Sequence, residues 1–435
     1  MLFRQFIDED LGCASYLVGD ATAGVAVLVD PPFAVEPLLE AAADAGVTVV
    51  RVLETHTHAD HVSGHGRLAL DRAIPVSIHP LAEPEYRFHP LADGDTIPVG
   101  GVEIRVLHTP GHRPEHCSFV VDEELALTGD SLFVGDAARP DLAVAAREGA
   151  TDLFHSLRRL TELPPDVEVY PGHVAGSLCG GGMKPDRSST IGAERADNQA
   201  LAYEDLQDFV LASASISTPR PPTTERVVAL NRGPWLPLPP APAELPDVGE
   251  ATVLDVRPVA AYLAGHLPGA ISVPLDGGSF GTKAGFVLDP DEPVVLHASS
   301  GDEALAAARR LWAVGVLSVA GYVVSAAATE TLATIDVPEL KRLLDADAVQ
   351  LVDVREQSER DSGYIPGSRS IPYRLLRKSG SDALDATKPV VTICETGARA
   401  AIAASLLERE GLDVRVVLDG GVRDFELVGF RRCGS

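Results

Sequence analysis

THTHADH (Thr55–His61) lies one residue beyond the apolar run Val47–Leu53. β-Branched residues dominate that run, so it reads as a buried strand that delivers a polar segment at its end. Three histidines and one aspartate within six positions form a density of metal-ligand side chains that composition alone rarely produces. His56 and His58 stand two apart, so in an extended strand end both would project to one side. Asp60 and His61 come next, where Gly64 and the stretch 67–73 predict a turn into a helix.

Three more segments repeat the design. HTPGH (His108–His112) presents His112, LTGD (Leu127–Asp130) presents Asp130, and VYPGH (Val169–His173) presents His173. Each is an apolar run, a glycine or turn residue, then a ligand-type side chain. Loops that each deliver one ligand to the rim of a rigid sheet preorganise a metal site. Apolar runs at 14–18, 25–29, 48–53, 102–107, 117–121 and 125–128 predict a large mixed sheet, and helical stretches at 34–45 and 151–161 would cover its faces. Eleven of the 13 histidines lie at or before His173, which assigns the metal chemistry to the first half of the chain.

The second half is organised differently. GPWLPLPPAPAELPD (Gly233–Asp247) holds six prolines in 15 residues and reads as a semi-rigid linker. Beyond it the sequence repeats. VLDVRPVAAYLAGHLPGAISVP (Val253–Pro274) returns as LVDVREQSERDSGYIPGSRSIP (Leu351–Pro372), and VVLHASSGDEALAAARRLWAVG (Val294–Gly315) as VVTICETGARAAIAASLLEREG (Val390–Gly411). Short β-branched runs alternate with Ala/Leu-rich segments in each copy, which predicts parallel strands with crossover helices. The chain thus divides into 1–232, a linker at 233–247, a first repeat at 248–334 and a second at 335–435.

Composition sets outer bounds. The 435 residues are 45% hydrophobic and 23% charged, ordinary for globular domains, and carry a net charge of −27. Such acidity excludes nucleic acid and membrane surfaces as partners in the absence of a basic patch. The N-terminus has no secretory pattern, and the five scattered cysteines form no disulfide framework, so a cytoplasmic location is expected. A homo-oligomer is expected as well. Cys13 and Cys117 read as strand packing and Cys433 as a tail thiol.

His56-x-His58-x-Asp60-His61 with His112, Asp130 and His173 resembles the metallo-β-lactamase superfamily, over about residues 1–230. The resemblance implies an αββα sandwich of two mixed sheets. It admits two chemistries. Glyoxalase II-type thioester hydrolases fill two metal positions, whereas persulfide dioxygenases hold one Fe(II) per chain on the residues matching His56, His112 and Asp130, leaving His58, Asp60, His61 and His173 off the iron. Three features favour the dioxygenases. Only 18 residues separate His112 from Asp130; LFVGDAARPDL (Leu132–Leu142) is similar to the dioxygenase segment after the metal aspartate; and AGSLCGGGMKPDRSSTIGAERADN (Ala175–Asn198) looks like the bacterial dioxygenase segment after the last histidine. Arg139 then becomes the candidate for the carboxylate end of a glutathione-like substrate, with Asp141 to orient it or, alternatively, a surface ion pair with Asp136 or Asp141. Cys179 is a candidate thiol at the substrate channel.

ICETGARA (Ile393–Ala400) places Cys394 between a strand and a helix N-terminus, among backbone N–H groups that favour thiolate. With Asp353-Val-Arg355 and Ile365-Pro-Gly367 it resembles rhodanese sulfurtransferases. That implies Cys394 as nucleophile, Arg399 as the anion-orienting charge, and Glu395, Thr396, Gly397 and Ala398 as the loop around a persulfide. The first repeat has Ala298 and Glu303 at the positions of Cys394 and Arg399 and reads as a catalytically silent pseudo-rhodanese. The whole chain resembles bacterial fusions of persulfide dioxygenase, pseudo-rhodanese and rhodanese. Such fusions imply O2-dependent oxidation of a small thiol persulfide to sulfite, coupled to sulfur transfer that forms or uses thiosulfate. The alternatives are a dinuclear thioester hydrolase and a non-catalytic sulfur-sensing module.

Overall fold

The computed structural model describes residues 1–141, 143–175, 182–214, 219–324 and 329–428. It separates into two compact units, one of residues 1–220, 224–239 and 313–315, the other of residues 221–223, 240–312 and 316–435.

Strands Ala14–Asp20, Val25–Val29, Cys117–Val121 and Leu125–Gly129 at the centre of the first unit are buried on both faces, which is why they are rich in apolar residues. One six-stranded sheet runs Leu2–Ile7, Ala14–Asp20, Val25–Val29, Thr48–Leu53, Val76–Ile78, His89–Pro90, antiparallel through the first three strands and parallel thereafter. The other runs Ser189–Thr190, Glu168–Pro171, Leu125–Gly129, Cys117–Val121, Val102–His108, Thr96–Val99. The two-residue period sorts neighbours to opposite faces. Tyr16, Val18, Val27 and Val29 meet Ile104, Val106, Phe119 and Val121 between the sheets. Leu17, Ala26 and Leu28 instead pack outward on Leu38 and Leu68 of helices Glu36–Asp44 and His65–Arg72. Val120 and Ala126 pack on Leu153, Leu157 and Phe209 of helices Ala146–Leu160 and Leu206–Ala214. The layers are therefore αββα, and each buried Leu or Phe contributes about 1.5–3 kcal/mol.

The second unit holds both repeats. The first has a parallel sheet in the order Ile271–Ser272, Thr252–Asp255, Val294–His297, Val319–Val323. The second repeats it as Arg369–Ser370, Gln350–Asp353, Val390–Ile393, Val414–Asp419, with Ala333–Asp336 added at the edge. The shared Asp-Val-Arg has one job in both copies. Arg257 binds the Asp255 carboxylate and donates to Gly265 O at 2.8 Å, and Arg355 binds Asp353 and donates to Gly363 O at 2.8 Å. Each arginine so ties the strand end to the turn that closes the following helix.

The proline-rich stretch is anchored within each unit. Trp235 packs on Tyr86, ring centroids 4.2 Å apart, in the first. In the second, Tyr322 N donates to Ala243 O and Leu245 N to Tyr322 O, so 243–245 lies along the edge strand. Among the described residues no helix is long and apolar enough to cross a membrane.

Candidate metal centre and cysteine loop

Strand Thr48–Leu53 ends before the histidine segment, so residues 54–58 are a buried turn rather than an extended strand end. The Asp30 carboxylate holds the turn in place by accepting from Thr55 N at 2.7 Å and Thr55 Oγ1 at 2.8 Å. Because the Thr55 hydroxyl hydrogen is spent on Asp30, its oxygen accepts from His56 Nδ1 at 2.9 Å. His56 Nε2 is then a bare lone pair, buried and without a hydrogen-bond partner among the described residues. His112 is fixed in the same tautomer, since its Nδ1 donates to Arg139 O at 3.0 Å. Its Nε2 lies 3.4 Å from Asp130 Oδ2, and His56 Nε2 lies 4.0 Å from the same oxygen.

Two bare nitrogens and a carboxylate oxygen thus converge, all within 4.8 Å. Asp130 Oδ2 is also a buried acceptor without a donor among the described residues. Burial holds both imidazoles below the ordinary histidine range, and therefore neutral. Among the described residues no donor satisfies His56 Nε2 or Asp130 Oδ2, whereas one cation would satisfy all three atoms. The residues fit a metal.

Asp130 owes its placement to Gly129, at φ +50°, where a Cβ would lie 2.6 Å from His116 Nε2. His116 accepts from Asp130 N at 2.9 Å. The other Asp130 oxygen sits 2.7 Å from His173 Nδ1, and His173 Nε2 sits 2.9 Å from Asp60 Oδ2.

His58 does not join His56. The two rings are neighbours, with centroids 4.3 Å apart, but His58 Nε2 lies 3.3 Å from Asp30 Oδ1 and 3.3 Å from Glu54 Oε2. Burial by itself would lower the His58 pKa, but these carboxylates hold it well above the ordinary range. Glu54 is raised by burial but drawn down overall, to about 2, by His65 and His58. The His58 nitrogen and these two carboxylates form a group of ligand atoms of their own within 4.8 Å, apart from the set at Asp130. The expectation that His56 and His58 project to one side is thus corrected: two carboxylates beside the turn claim the second ring.

Asp60 and His61 gather elsewhere, with Cys13. The Cys13 thiol lies 3.1 Å from Asp60 Oδ2, 3.4 Å from His61 Nδ1 and 3.4 Å from His173 Nε2. Its reading as a strand-packing thiol is also corrected: Cys13 precedes strand Ala14–Asp20 and bridges to His173, so its side chain faces this cluster. Burial pushes its pKa well up. Cys117, on its strand, is pushed by burial to about 12.

Arg139 and Asp141 form a two-pronged ion pair at 2.6 and 2.7 Å. Asp136 instead accepts from Gly182 N at 2.7 Å. The hairpin Leu132–Phe133/Asp136–Ala137 before Arg139 is held from behind by Asn198, whose Nδ2 donates to Phe133 O and Asp136 O, and by Glu194, which accepts from Gly135 N. Cys179 and Cys433 lie outside the described residues.

In the second repeat, Cys394 follows strand Val390–Ile393 and accepts from Gly397 N at 3.1 Å. Gly397 takes φ +82°, which lets its N–H turn toward the sulfur before helix Ala398–Arg409 begins. Glu395 pairs with Arg355 at 2.7 Å, and Arg399 pairs with Glu359 at 2.6 and 2.8 Å. In the first repeat, Ala298 is buried at the position of Cys394, and the Glu303 carboxylate accepts from Ser299 N. The loop of the first repeat thus fills one of its own amides with an internal anion.

The family model for the metallo-β-lactamase superfamily matches residues 8–173, and that for the rhodanese-like domain matches 242–325 and 336–427. The mitochondrial persulfide dioxygenase of Homo sapiens is 30% identical over 236 residues, 53% of this chain and 87% of that protein. The chain belongs to the metallo-β-lactamase superfamily. It is a superfamily member followed by rhodanese-like domains. A hydroxyacylglutathione hydrolase of Cereibacter sphaeroides is 32% identical over 211 residues, 45% of this chain and 79% of that protein. A metallo-β-lactamase structure from Staphylococcus aureus superposes with a TM-score of 0.68 at 30% identity, over 74% of this chain and 98% of that one.

Several residues of this superfamily centre escape a reading by motif. Asp30 and Glu54 each sit one position past an apolar strand, the position that also delivers Asp130, and that placement was the available signal. His116 lies four residues after His112, without a motif of its own. Asn231 carries no local signal, yet its Nδ2 donates to His58 O at 2.9 Å and His61 O at 2.8 Å and fixes the turn.

Proposed function

We propose that the first unit oxidises a low-molecular-weight thiol persulfide with O2, using one Fe(II) per chain, and that Cys394 transfers sulfane sulfur. The supporting observation is the diversion of His58 to Asp30 and Glu54, which leaves a set of two histidines and one carboxylate. An iron ion held by this set would supply the electron transfer between a persulfide sulfur and O2. The balance is RSSH + O2 + H2O giving RSH + H2SO3, with the outer sulfur oxidised and O2 reduced. His56 and His112 would ligate through Nε2 and Asp130 through Oδ2, in orientations held by Thr55 Oγ1 and the Arg139 carbonyl. The Arg139 guanidinium, steadied by Asp141, would take the carboxylate of a glutathione-like substrate.

In the second repeat the Cys394 thiolate would attack the outer sulfur of a sulfane donor, breaking the donor's S–S bond and releasing a thiolate (or sulfite, from thiosulfate), and the Gly397 N–H would steady the resulting persulfide. Sulfite attacking that outer sulfur releases thiosulfate and regenerates the thiol; the reverse sequence uses thiosulfate. Glu395, Thr396, Gly397 and Ala398 would frame the loop, and Arg399, released from or sharing Glu359, would orient the anion. The proposed division is 1–232, 233–247, 248–334 and 335–435.

The relative that hydrolyses a glutathione thioester supports a second reading, because Cys13, Asp60 and His61 also form a group of ligand atoms within 4.8 Å. An oxygen electrode with glutathione persulfide separates the two. Wild type and Cys394→Ala should consume O2 at similar rates, while only wild type makes thiosulfate from added sulfite and a sulfane donor. Absence of O2 uptake in the iron-loaded protein would refute the dioxygenase reading.

A further inference from the structure

The second unit carries a cluster that neither proposed reaction uses. His266 Nε2 lies 3.0 Å from Glu408 Oε2 and 3.9 Å from Glu330 Oε2, and the three ligand atoms are all within 4.8 Å. Two of the three residues are locked together by backbone: His266 N donates to Glu330 O at 3.0 Å, and Glu330 N to His266 O at 3.2 Å. Glu408 comes from helix Ala398–Arg409, the helix that begins in the Cys394 loop. The His266 ring is oriented by Tyr262, which stacks on it at 4.0 Å and accepts from its Nδ1 through the backbone carbonyl at 2.9 Å.

With Nδ1–H committed, Nε2 presents two carboxylates with either a bare lone pair or a second proton. A proton there leaves the cluster with one net negative charge around a fully buried ring. A divalent cation on the neutral ring brings the cluster to zero. Glu330 is 42% exposed, so the cluster has one edge at the solvent.

We infer that His266, Glu330 and Glu408 bind one divalent transition-metal ion of the zinc class, clamping helix Ala398–Arg409 to the silent repeat. One imidazole nitrogen and two carboxylate oxygens suit zinc at about 2.0–2.2 Å, with water completing a tetrahedron. The ligand separations of 3.0 and 3.9 Å bracket the edge of such a tetrahedron. The Tyr262 hydroxyl lies within donating distance of Ala270 O at 3.0 Å and of Glu408 Oε2 at 3.4 Å, so its one hydrogen can also steady the proposed ligand oxygen. The silent repeat thereby gains a role, bracing the far end of the helix whose N-terminus carries the sulfur-transfer loop. This site is independent of whether the first unit is a dioxygenase.

The test uses the iron-loaded full chain equilibrated with zinc chloride, followed by gel filtration, metal analysis and thermal melting. Wild type should retain one zinc more than Glu330→Gln or Glu408→Gln, with iron content equal in all three. Glu330→Gln, on a solvent-facing side chain, should weaken zinc binding by at least about tenfold and abolish the zinc-dependent rise in Tm. Asp60→Asn separates zinc held beside Cys13, and it should leave the zinc at His266 in place. Equal zinc content in wild type and both glutamate variants, or zinc lost only in Asp60→Asn, would overturn the inference.

Discussion

His56 and His58 are two residues apart on one buried turn, and their rings nearly touch, yet they have opposite chemistry. His56 has its Nδ1 hydrogen taken by Thr55, which leaves Nε2 bare toward Asp130. His58 faces Asp30 and Glu54, whose carboxylates hold its pKa above the ordinary range. A histidine's role is therefore set by what its outer neighbours do with its protons, and a motif of evenly spaced histidines does not state the number of ligands. That difference underlies the choice of one metal position over two.

The largest effect should come from removing the bare side of the pair. His56→Ala should lower metal affinity by more than about 100-fold, above the range for outer partners, and abolish O2 uptake. Metal analysis of the folded variant checks it. Glu54→Gln attacks the other side. It leaves His58 and His65 facing one carboxylate fewer in a buried site, and should cost about 3–5 kcal/mol in urea unfolding. Because the folded Glu54 pKa is depressed, to about 2, its contribution is present above the unfolded value near 4.5 and is lost as pH falls toward about 2. The stability gap between wild type and variant should therefore narrow in acid; a gap that widens there would break the comparison.

His58→Asn sharpens it further. Iron content should stay at the wild-type level and O2 uptake within about tenfold, because this ring lies outside the proposed ligand set. The smallest effect belongs to Cys13. Its thiol is buried with a raised pKa, so iodoacetamide at pH 8 should spare it in the folded protein, as mass spectrometry of the digest would report. Rapid alkylation of Cys13 would mean that the cluster with Asp60 and His61 is open.

The strand segments, the helices that cover them and the duplicated parallel domains could be read from the chain because each rests on local periodicity or repetition, whereas the order of the strands and their division into two sheets in the first unit could not. Tyr16 and Leu17, or Phe119 and Val120, alternate between layers as a two-residue period requires. The repeat was legible through Asp255 and Asp353, whose following arginines each bind that carboxylate and the turn after the next helix. The ligand-type residues His56, His112 and Asp130 were legible because each closes a strand with a turn. What stayed hidden were long-range partners: Asp30 reaching Thr55, Asn231 reaching the carbonyls of His58 and His61, and Cys13 meeting His173. Those contacts follow from how strands pair, and no spacing within one segment encodes them.

One measurement bears on the central claim most directly: the metal content of anaerobically purified, iron-loaded protein, in wild type and His58→Asn. The account predicts about one iron per chain in both, with rapid O2 consumption on addition of glutathione persulfide. Two metals per wild-type chain, with one lost in His58→Asn and no O2 uptake, would contradict it.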